Sequence, residues 1–179
     1  MEKFQLLLST LYSNGGYLIG EARVHSLMYF MFLYFKKPVT DFTLFGEPGV
    51  FSSELRDYIQ YMKTLGVGNE CEVGTVSKEY CIAINSIGRK LVQPTEKTKE
   101  YRQVKGLLSR INAITNLKSF PDTLNETSGS LELAASAHLN LKYDGKPITV
   151  DTVKSQISEA TVLKDAIKVL KLVKELNHE

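Results

Sequence analysis

Phe4, Leu7, Leu8 and Leu11 recur at the three- and four-residue intervals that line up side chains on one helix face, so the spacing predicts a first helix from about Lys3 to Tyr12. Ser13-Asn14-Gly15-Gly16 stops it. A second helix is expected from about Glu21 to Phe35. Val24, Leu27, Met28, Met31 and Tyr34 form its stripe, and Tyr29, Phe30, Phe32 and Leu33 fill much of the remaining circumference. A helix with so little polar surface belongs in the middle of a core. Pro38 ends it, and Val39 to Phe45 reads as a short extended piece. Next comes the abrupt turn Gly46-Glu47-Pro48-Gly49. Beyond it Leu55, Tyr58, Ile59, Met62 and Leu65 mark the clearest amphipathic helix, with Ser52 as its N-cap and Glu54 in its positive first turn. Gly66 and Gly68 end that helix. Asn69 to Val73 and Glu79 to Ile84 alternate as two strands joined by residues 74–78, which predicts a hairpin. Asn85-Ser86 caps a further helix carrying Ile87, Leu91 and Val92 before Pro94.

From Thr95 onward the pattern is helical throughout. Tyr101, Val104, Leu108 and Ile111 mark one helix, and Leu131, Ala134, Ala135, His138 and Leu141 mark another, with Ser119 to Ser128 between them. The last helix, from about Thr161 to Leu176, turns Leu163, Ala166, Ile167, Leu170 and Val173 inward. Lys164, Lys168, Lys171 and Lys174 share its opposite face, diluted by Asp165 and Glu175. There is no internal repeat and no low-complexity tract. Helix, helix, turn, helix, hairpin is the order of a winged helix, in which the third helix and the hairpin wing flank one exposed surface. The expected fold is therefore mainly α: a winged helix-turn-helix with a small β-hairpin wing over residues 1–94, then a helical tail over 95–179 that packs on it or forms a dimer interface.

Composition narrows the function. A chain of 179 residues, 43% of them apolar, can bury one core, or one core with a helical appendage. Two cysteines are too few for a disulfide-stapled secreted domain, and MEKFQLLLST has one basic residue and no small-residue cleavage site, so a cytoplasmic location is expected. The longest apolar run, Ser26 to Phe35, is about half the roughly 20 residues of a membrane-spanning helix. The net charge of +2 is too mild to announce a nucleic-acid partner. Residues 1–93 are neutral, with nine cationic and nine acidic side chains. The positive charge sits between Thr95 and Lys118, where Lys97, Lys99, Arg102, Lys105, Arg110 and Lys118 outnumber Glu96 and Glu100. That stretch could lie along a phosphate backbone, but an ordinary solvated face is the favoured reading.

Three stretches carry a family likeness. ARVHSLMYFMFLY (residues 22–34), FGEPGVFSSEL (45–55) and LELAASAHLNL (131–141) resemble landmarks of uncharacterised archaeal winged-helix proteins with a helical tail, themselves distantly similar to Panacea-type phage-associated and antitoxin proteins. Phe45, Gly46, Pro48, Phe51, Ser52 and Leu55 match the family's turn, whereas Glu47 intrudes between Gly and Pro and Gly49-Val50 lengthens the loop. The resemblance implies regulation or partner neutralisation without catalysis.

The leading reading of the third helix is that of a DNA-binding transcriptional regulator, and the alternative is a protein-interaction module, antitoxin- or adaptor-like. In the first the protein binds duplex DNA, as a homodimer, with Ser53, Arg56, Gln60 and Lys63 at the groove and Lys78, Arg89 and Lys90 near phosphates. Asp57 sits in the middle of that face and would repel the phosphate backbone. In the second reading Glu54, Asp57 and Tyr61 meet a protein partner instead. Signals for chemistry are weak. His25, His138 and His178 lack metal-ligand spacing, and Cys71 and Cys81 lack the paired pattern of a zinc site, so neither metal nor cofactor is expected. His138 shares a face with Leu131 and Ala134 and reads as a packed, hydrogen-bonded histidine. Gly15 to Gly20 lacks the Lys-Ser/Thr of a phosphate loop and reads as a helix connector. Asn125-Glu126-Thr127 matches a glycosylation acceptor that has no meaning without secretion. Pairing Val73 with Tyr80 and Cys71 with Ile82 collects four apolar side chains on one face of the hairpin, which predicts two free thiols. A hyperthermophilic source would favour a bridge instead.

Overall fold

The second helix, α2 (Glu21–Tyr34), is the axis of the fold: every residue from Val24 to Phe32 is buried. A computed structural model describes residues 1–44, 49–74, 79–115, 129–157 and 160–176. The turn residues 45–48, Lys78, Lys118, the linker 119–128 with its Asn125 acceptor, and His178 lie outside the described residues. Before α2 come α1 (Lys3–Ser13) and a strand β1 (Tyr17–Ile19). After it come β2 (Phe42–Leu44), β3 (Val50–Ser52), α3 (Ser53–Thr64), β4 (Gly68–Val73), β5 (Glu79–Ile84) and α4 (Ser86–Val92). A 3-10 turn (Gln93–Lys97) leads into α5 (Lys99–Thr115), α6 (Ser130–Tyr143), the short α7 (Val150–Lys154) and α8 (Ala160–Leu176). The protein is mainly helical with a small three-stranded antiparallel sheet and a separate antiparallel pair, β2 with β3.

Helices α1, α6 and α8 and strands β1 and β3 all pack on α2, and one continuous apolar core runs from Leu6 and Leu7 through Phe30 and Phe32 to Leu139 and Val169. The helical second half therefore shares its core with the first. Among the described residues no helix is long and apolar enough to cross a membrane.

The helix starts follow the sequence closely. Ser52 caps α3 by accepting from the Leu55 N–H at 2.9 Å, and Asn85 caps α4 by accepting from Ile87 at 2.9 Å and Gly88 at 3.1 Å. The Gly15 to Gly20 stretch does not behave as a plain connector. It contains β1, which completes a three-stranded sheet in the order β1-β5-β4. Three residues between glycines are too few to display a period of two. The strand is held by its ends: Ile84 N donates to Gly16 O at 2.8 Å and Gly20 N donates to Tyr80 O at 2.7 Å.

The hairpin register also differs from expectation. Cys71 lies opposite Cys81, Glu72 opposite Tyr80 and Glu70 opposite Ile82, and the two cysteines form a disulfide. The apolar-face argument failed because Glu70 is not a stranded carboxylate on the inner side of the sheet. It takes hydrogen bonds from Lys63 at 2.7 Å and Tyr80 at 3.1 Å and an ion pair from Arg56 at 3.0 Å. Cations reaching over from α3 make the glutamate as acceptable there as an apolar residue.

The sheet and α4 meet at a glycine. A Cβ on Gly88 would sit 2.3 Å from the Val67 carbonyl oxygen and 2.5 Å from Ile84 Cγ1. Both neighbours are tied down, because Val67 O accepts from Asn85 N at 3.0 Å and Ile84 is 4% exposed in the core. Gly88→Ala is therefore expected to destabilise the protein by about 2 kcal/mol, despite the better helix propensity of alanine. Urea unfolding measures it, and a change within about 0.5 kcal/mol would contradict this packing.

Candidate interaction face on the third helix

What aims α3 is a set of polar contacts at its N-terminus. Ser52 Oγ accepts from Leu55 N and donates to Asp41 Oδ2, which also accepts from Glu54 N at 3.2 Å. Ser52 N donates to His25 Nδ1 at 3.0 Å, and the His25 ring stacks on Phe51 with centroids 4.6 Å apart. This serine, histidine and aspartate do not form a nucleophile. The hydroxyl proton goes to the carboxylate, the imidazole nitrogen is occupied by a backbone N–H, and Ser52 is completely buried. The group caps a helix.

The turn is gripped from its other side by α6. Ser136 Oγ accepts from Gly49 N at 2.7 Å and donates to Gly49 O at 2.9 Å. Gly49 has φ of +140°, and a Cβ there would press on Ala22 Cβ at 3.1 Å. Two further contacts tie α6 to α2: Arg23 Nε to Glu132 Oε1 at 3.2 Å, and the Tyr29 hydroxyl to His138 Nδ1 at 2.7 Å. The three stretches that carry the family likeness thus meet in one polar seam through the core. His138 is the packed, hydrogen-bonded histidine its position suggests. Burial pushes its pKa down to about 4, helped by Lys142, and His25 falls to about 4 through burial and the nearby Arg56. The imidazole tautomer decides which of the two donates in the Tyr29–His138 contact, and burial raises the Tyr29 phenol above its usual range.

On the outward side of α3, Ser53, Asp57, Gln60, Tyr61, Lys63 and Thr64 are exposed, as the helical period places them. The structure brings the groove candidates Ser53, Arg56, Gln60 and Lys63 onto one helix, but two of the four are already engaged. Arg56 Nη1 reaches Glu21 Oε1 and Glu70 Oε1, both at 3.0 Å, with its guanidinium over the Tyr80 ring. Lys63 is 2.7 Å from the other oxygen of Glu70. Burial alone would raise the Glu70 pKa, yet hydrogen bonds from Lys63 and Tyr80 and the charge of Arg56 bring it below the ordinary value. Glu54 is held by Lys3 and by the Tyr58 hydroxyl at 2.8 Å, and Tyr58 is pushed up to about 12 by burial and then by that bond.

Of the candidate phosphate contacts, Arg89 donates to Gly15 O at 2.9 Å and lies over Tyr12, so it secures the α1–β1 connection. Lys90 is exposed on α4. The charge that remains on α3 is Asp57, with no ion pair among the described residues, beside Tyr61 and Leu65, which are 50% and 45% exposed. Tyr61 leans on Phe4 of α1, with ring centroids 5.1 Å apart. Sequence reasoning missed Glu21, Glu70 and Asp41 as the residues that hold this region, because each partner is remote in the chain or depends on the hairpin register. Among the described residues no cluster of three His, Cys, Asp or Glu side chains could hold a metal ion.

No protein-family model matches this sequence, and no curated protein matches it. The function has to be argued from the face itself.

The two buried histidines make stability depend on pH. Unfolded, each titrates near 6.5; folded, each titrates near 4. The folded state therefore excludes protons that the unfolded chain accepts, and stability falls as pH drops from about 6.5 towards 4. By pH 5 the loss should reach about 1–2 kcal/mol per histidine. Urea midpoints at pH 7.5, 6 and 5 read it, and His138→Gln should remove part of the slope. A flat profile over that range would show that the imidazoles are accessible to protons in the folded state.

Proposed function

We propose that this chain is a non-catalytic winged-helix regulatory protein, and that the exposed face of α3 binds another protein. The observation that carries the choice of partner is the capture of Arg56 and Lys63 by Glu21 and Glu70. Binding to duplex DNA is driven largely by cations that neutralise phosphates. To serve there, Arg56 would have to abandon two carboxylates and leave the half-buried Glu70 short of countercharge. With those cations withdrawn, the face offers Asp57, the amphipathic ring of Tyr61 and the apolar Leu65. An exposed aromatic beside an aliphatic side chain suits a protein contact.

The winged-helix reading is supported by the element order, in which α1, β1, α2, α3 and the β4–β5 hairpin follow one another and β1 pairs with the far strand of the hairpin. The likeness to the archaeal winged-helix proteins and their Panacea-type relatives rests on the three landmark stretches of sequence, which here meet at Gly49, Ser52 and Ser136. In this reading residues 1–94 are the winged domain and residues 95–179 a helical tail packed on it. The protein works in the cytoplasm without a cofactor.

A second reading, DNA binding, draws on a different observation. Lys97, Lys99, Arg102 and Lys105 are exposed along the 3-10 turn and α5, and Ser53 and Gln60 are exposed on α3. A cationic track of that kind could follow a phosphate backbone while Ser53 and Gln60 touched base edges.

Titration with random duplex DNA at about 50 and 200 mM salt separates the two. The protein-partner reading expects no binding at the lower salt. Binding at 50 mM that weakens by about a thousandfold at 200 mM, and weakens further in a Lys99→Ala, Lys105→Ala double variant, would replace it with the DNA reading.

A further inference from the structure

Apart from the α3 face and independently of it, we propose that the second half of the chain carries a binding site for a medium-chain aliphatic carboxylate, between α7 and α8. A partly enclosed cavity of about 260 Å³ lies there. Five of its seven lining residues, Ile148, Val150, Val153, Ile167 and Leu170, are aliphatic. Smaller dry cavities with walls of this kind take up apolar guests. One wall is held in shape without a ligand. Thr149 N donates to Thr152 Oγ1 at 2.9 Å and Thr152 N donates to Thr149 Oγ1 at 3.2 Å, while Thr152 Oγ1 also donates to the Pro147 carbonyl at 2.7 Å. The Thr149 hydroxyl, which lines the cavity as well, is thereby occupied by the helix cap. A sugar or a nucleobase would bury polar groups here without partners, whereas a hydrocarbon chain has none to satisfy.

Charge at the rim selects the other end of the ligand. Lys171 is the charged residue of the lining, and its ammonium offers donors and no acceptor. Both helices repeat one pattern. Val150, Val153 and Lys154 on α7 match Ile167, Leu170 and Lys171 on α8, two aliphatic residues three apart with a lysine directly after them. At about 100° per residue, each lysine lies roughly 70° from the centre of its apolar pair, at the edge of the face turned to the cavity. By the same measure Asp151 lies about 130° and Asp165 about 170° from those centres. Asp165 is moreover paired with Lys168 at 2.6 Å, and Asp144 before α7 with Lys146 at 2.9 Å. Lys154 and Lys171 are exposed and form no ion pair among the described residues. An anion with its chain among the aliphatic walls and its carboxylate on Lys171 satisfies both features, and Lys154 adds positive potential at the other helix. At the packing density of a protein interior the cavity takes a chain of about eight carbons.

Calorimetric titration of the full chain with octanoate is expected to give a Kd of about 1 mM or tighter. Octanol should bind at least about threefold more weakly, because it brings Lys171 no negative charge, and octyltrimethylammonium should not bind measurably. Shortening the carboxylate from octanoate to butanoate should weaken binding about two- to fourfold per methylene. Lys171→Gln, at an exposed position outside the core, should bring octanoate down to the affinity of octanol and leave octanol itself unchanged. Val150→Trp, which fills the cavity from a wall residue that is 37% exposed, should abolish binding of both. No octanoate binding at about 10 mM, equal affinity for octanoate and octanol, or octanoate binding that either variant leaves unchanged would each overturn the inference. The DNA titration reads the α3 face alone, so its outcome and this one are independent.

Discussion

Backbone groups at the bend before α3 are buried between two helices, and a buried amide must find a partner inside the protein. At Gly49 both the N–H and the carbonyl are served by one hydroxyl, Ser136 on α6, and at Ser52 the N–H is served by His25 on α2. These contacts join segments 27 and 87 residues apart and fix where α3 begins. They also explain why polar residues sit on otherwise apolar helices. His25 lies within a run of buried residues and Ser136 among alanines because the bend has hydrogen-bonding groups to satisfy. An apolar replacement at either place would leave the bend's own groups unpaired, which costs more than the polar side chain does.

Charge is distributed by the same logic of local satisfaction. A first half with equal numbers of acids and bases could have scattered them into solvent. Instead α3 and the sheet share an ion-paired group in which Glu70 meets Arg56 and Lys63, and Glu21 shares Arg56 Nη1 with Glu70. Isolated surface pairs contribute little, but here the tyrosine hydroxyl of Tyr80 and the position of Glu70 on the inner side of the strand add to the network. The outcome is a helix whose charges, Asp57 apart, are paired among the described residues.

The long helices were legible because each satisfies a period over many residues, and Ser52 and Asn85 also announce the starts of α3 and α4; the five-residue α7 is too short to show a period and was missed. β1 was not, because Tyr17, Leu18 and Ile19 become a strand only when β5 is present to pair with them. The hairpin illustrates a different limit. Alternation alone sorted Glu70 and Glu72 to the outside, but the register is settled by a cation on another element, and that shift by one residue set Cys71 opposite Cys81. The outward face of α3 was readable residue by residue. Which of its charges were spoken for was not, since Glu21 lies 35 residues from Arg56 in the chain.

The tail matters to the face although it does not form it. α3 leaves the bend at Ser52, three residues after the Gly49 backbone that Ser136 grips, and the same α6 is bound to α2 through Arg23–Glu132 and Tyr29–His138. The direction in which Asp57, Tyr61 and Leu65 point is thus set jointly by the central helix and by a helix from the second half of the chain. An interaction face that must meet another surface in one orientation benefits from such support, because a helix free to pivot at its first turn would lose contacts at its far end, where Tyr61 and Leu65 stand. The polar seam through an otherwise apolar core is then best understood as the device that holds α3 at one angle.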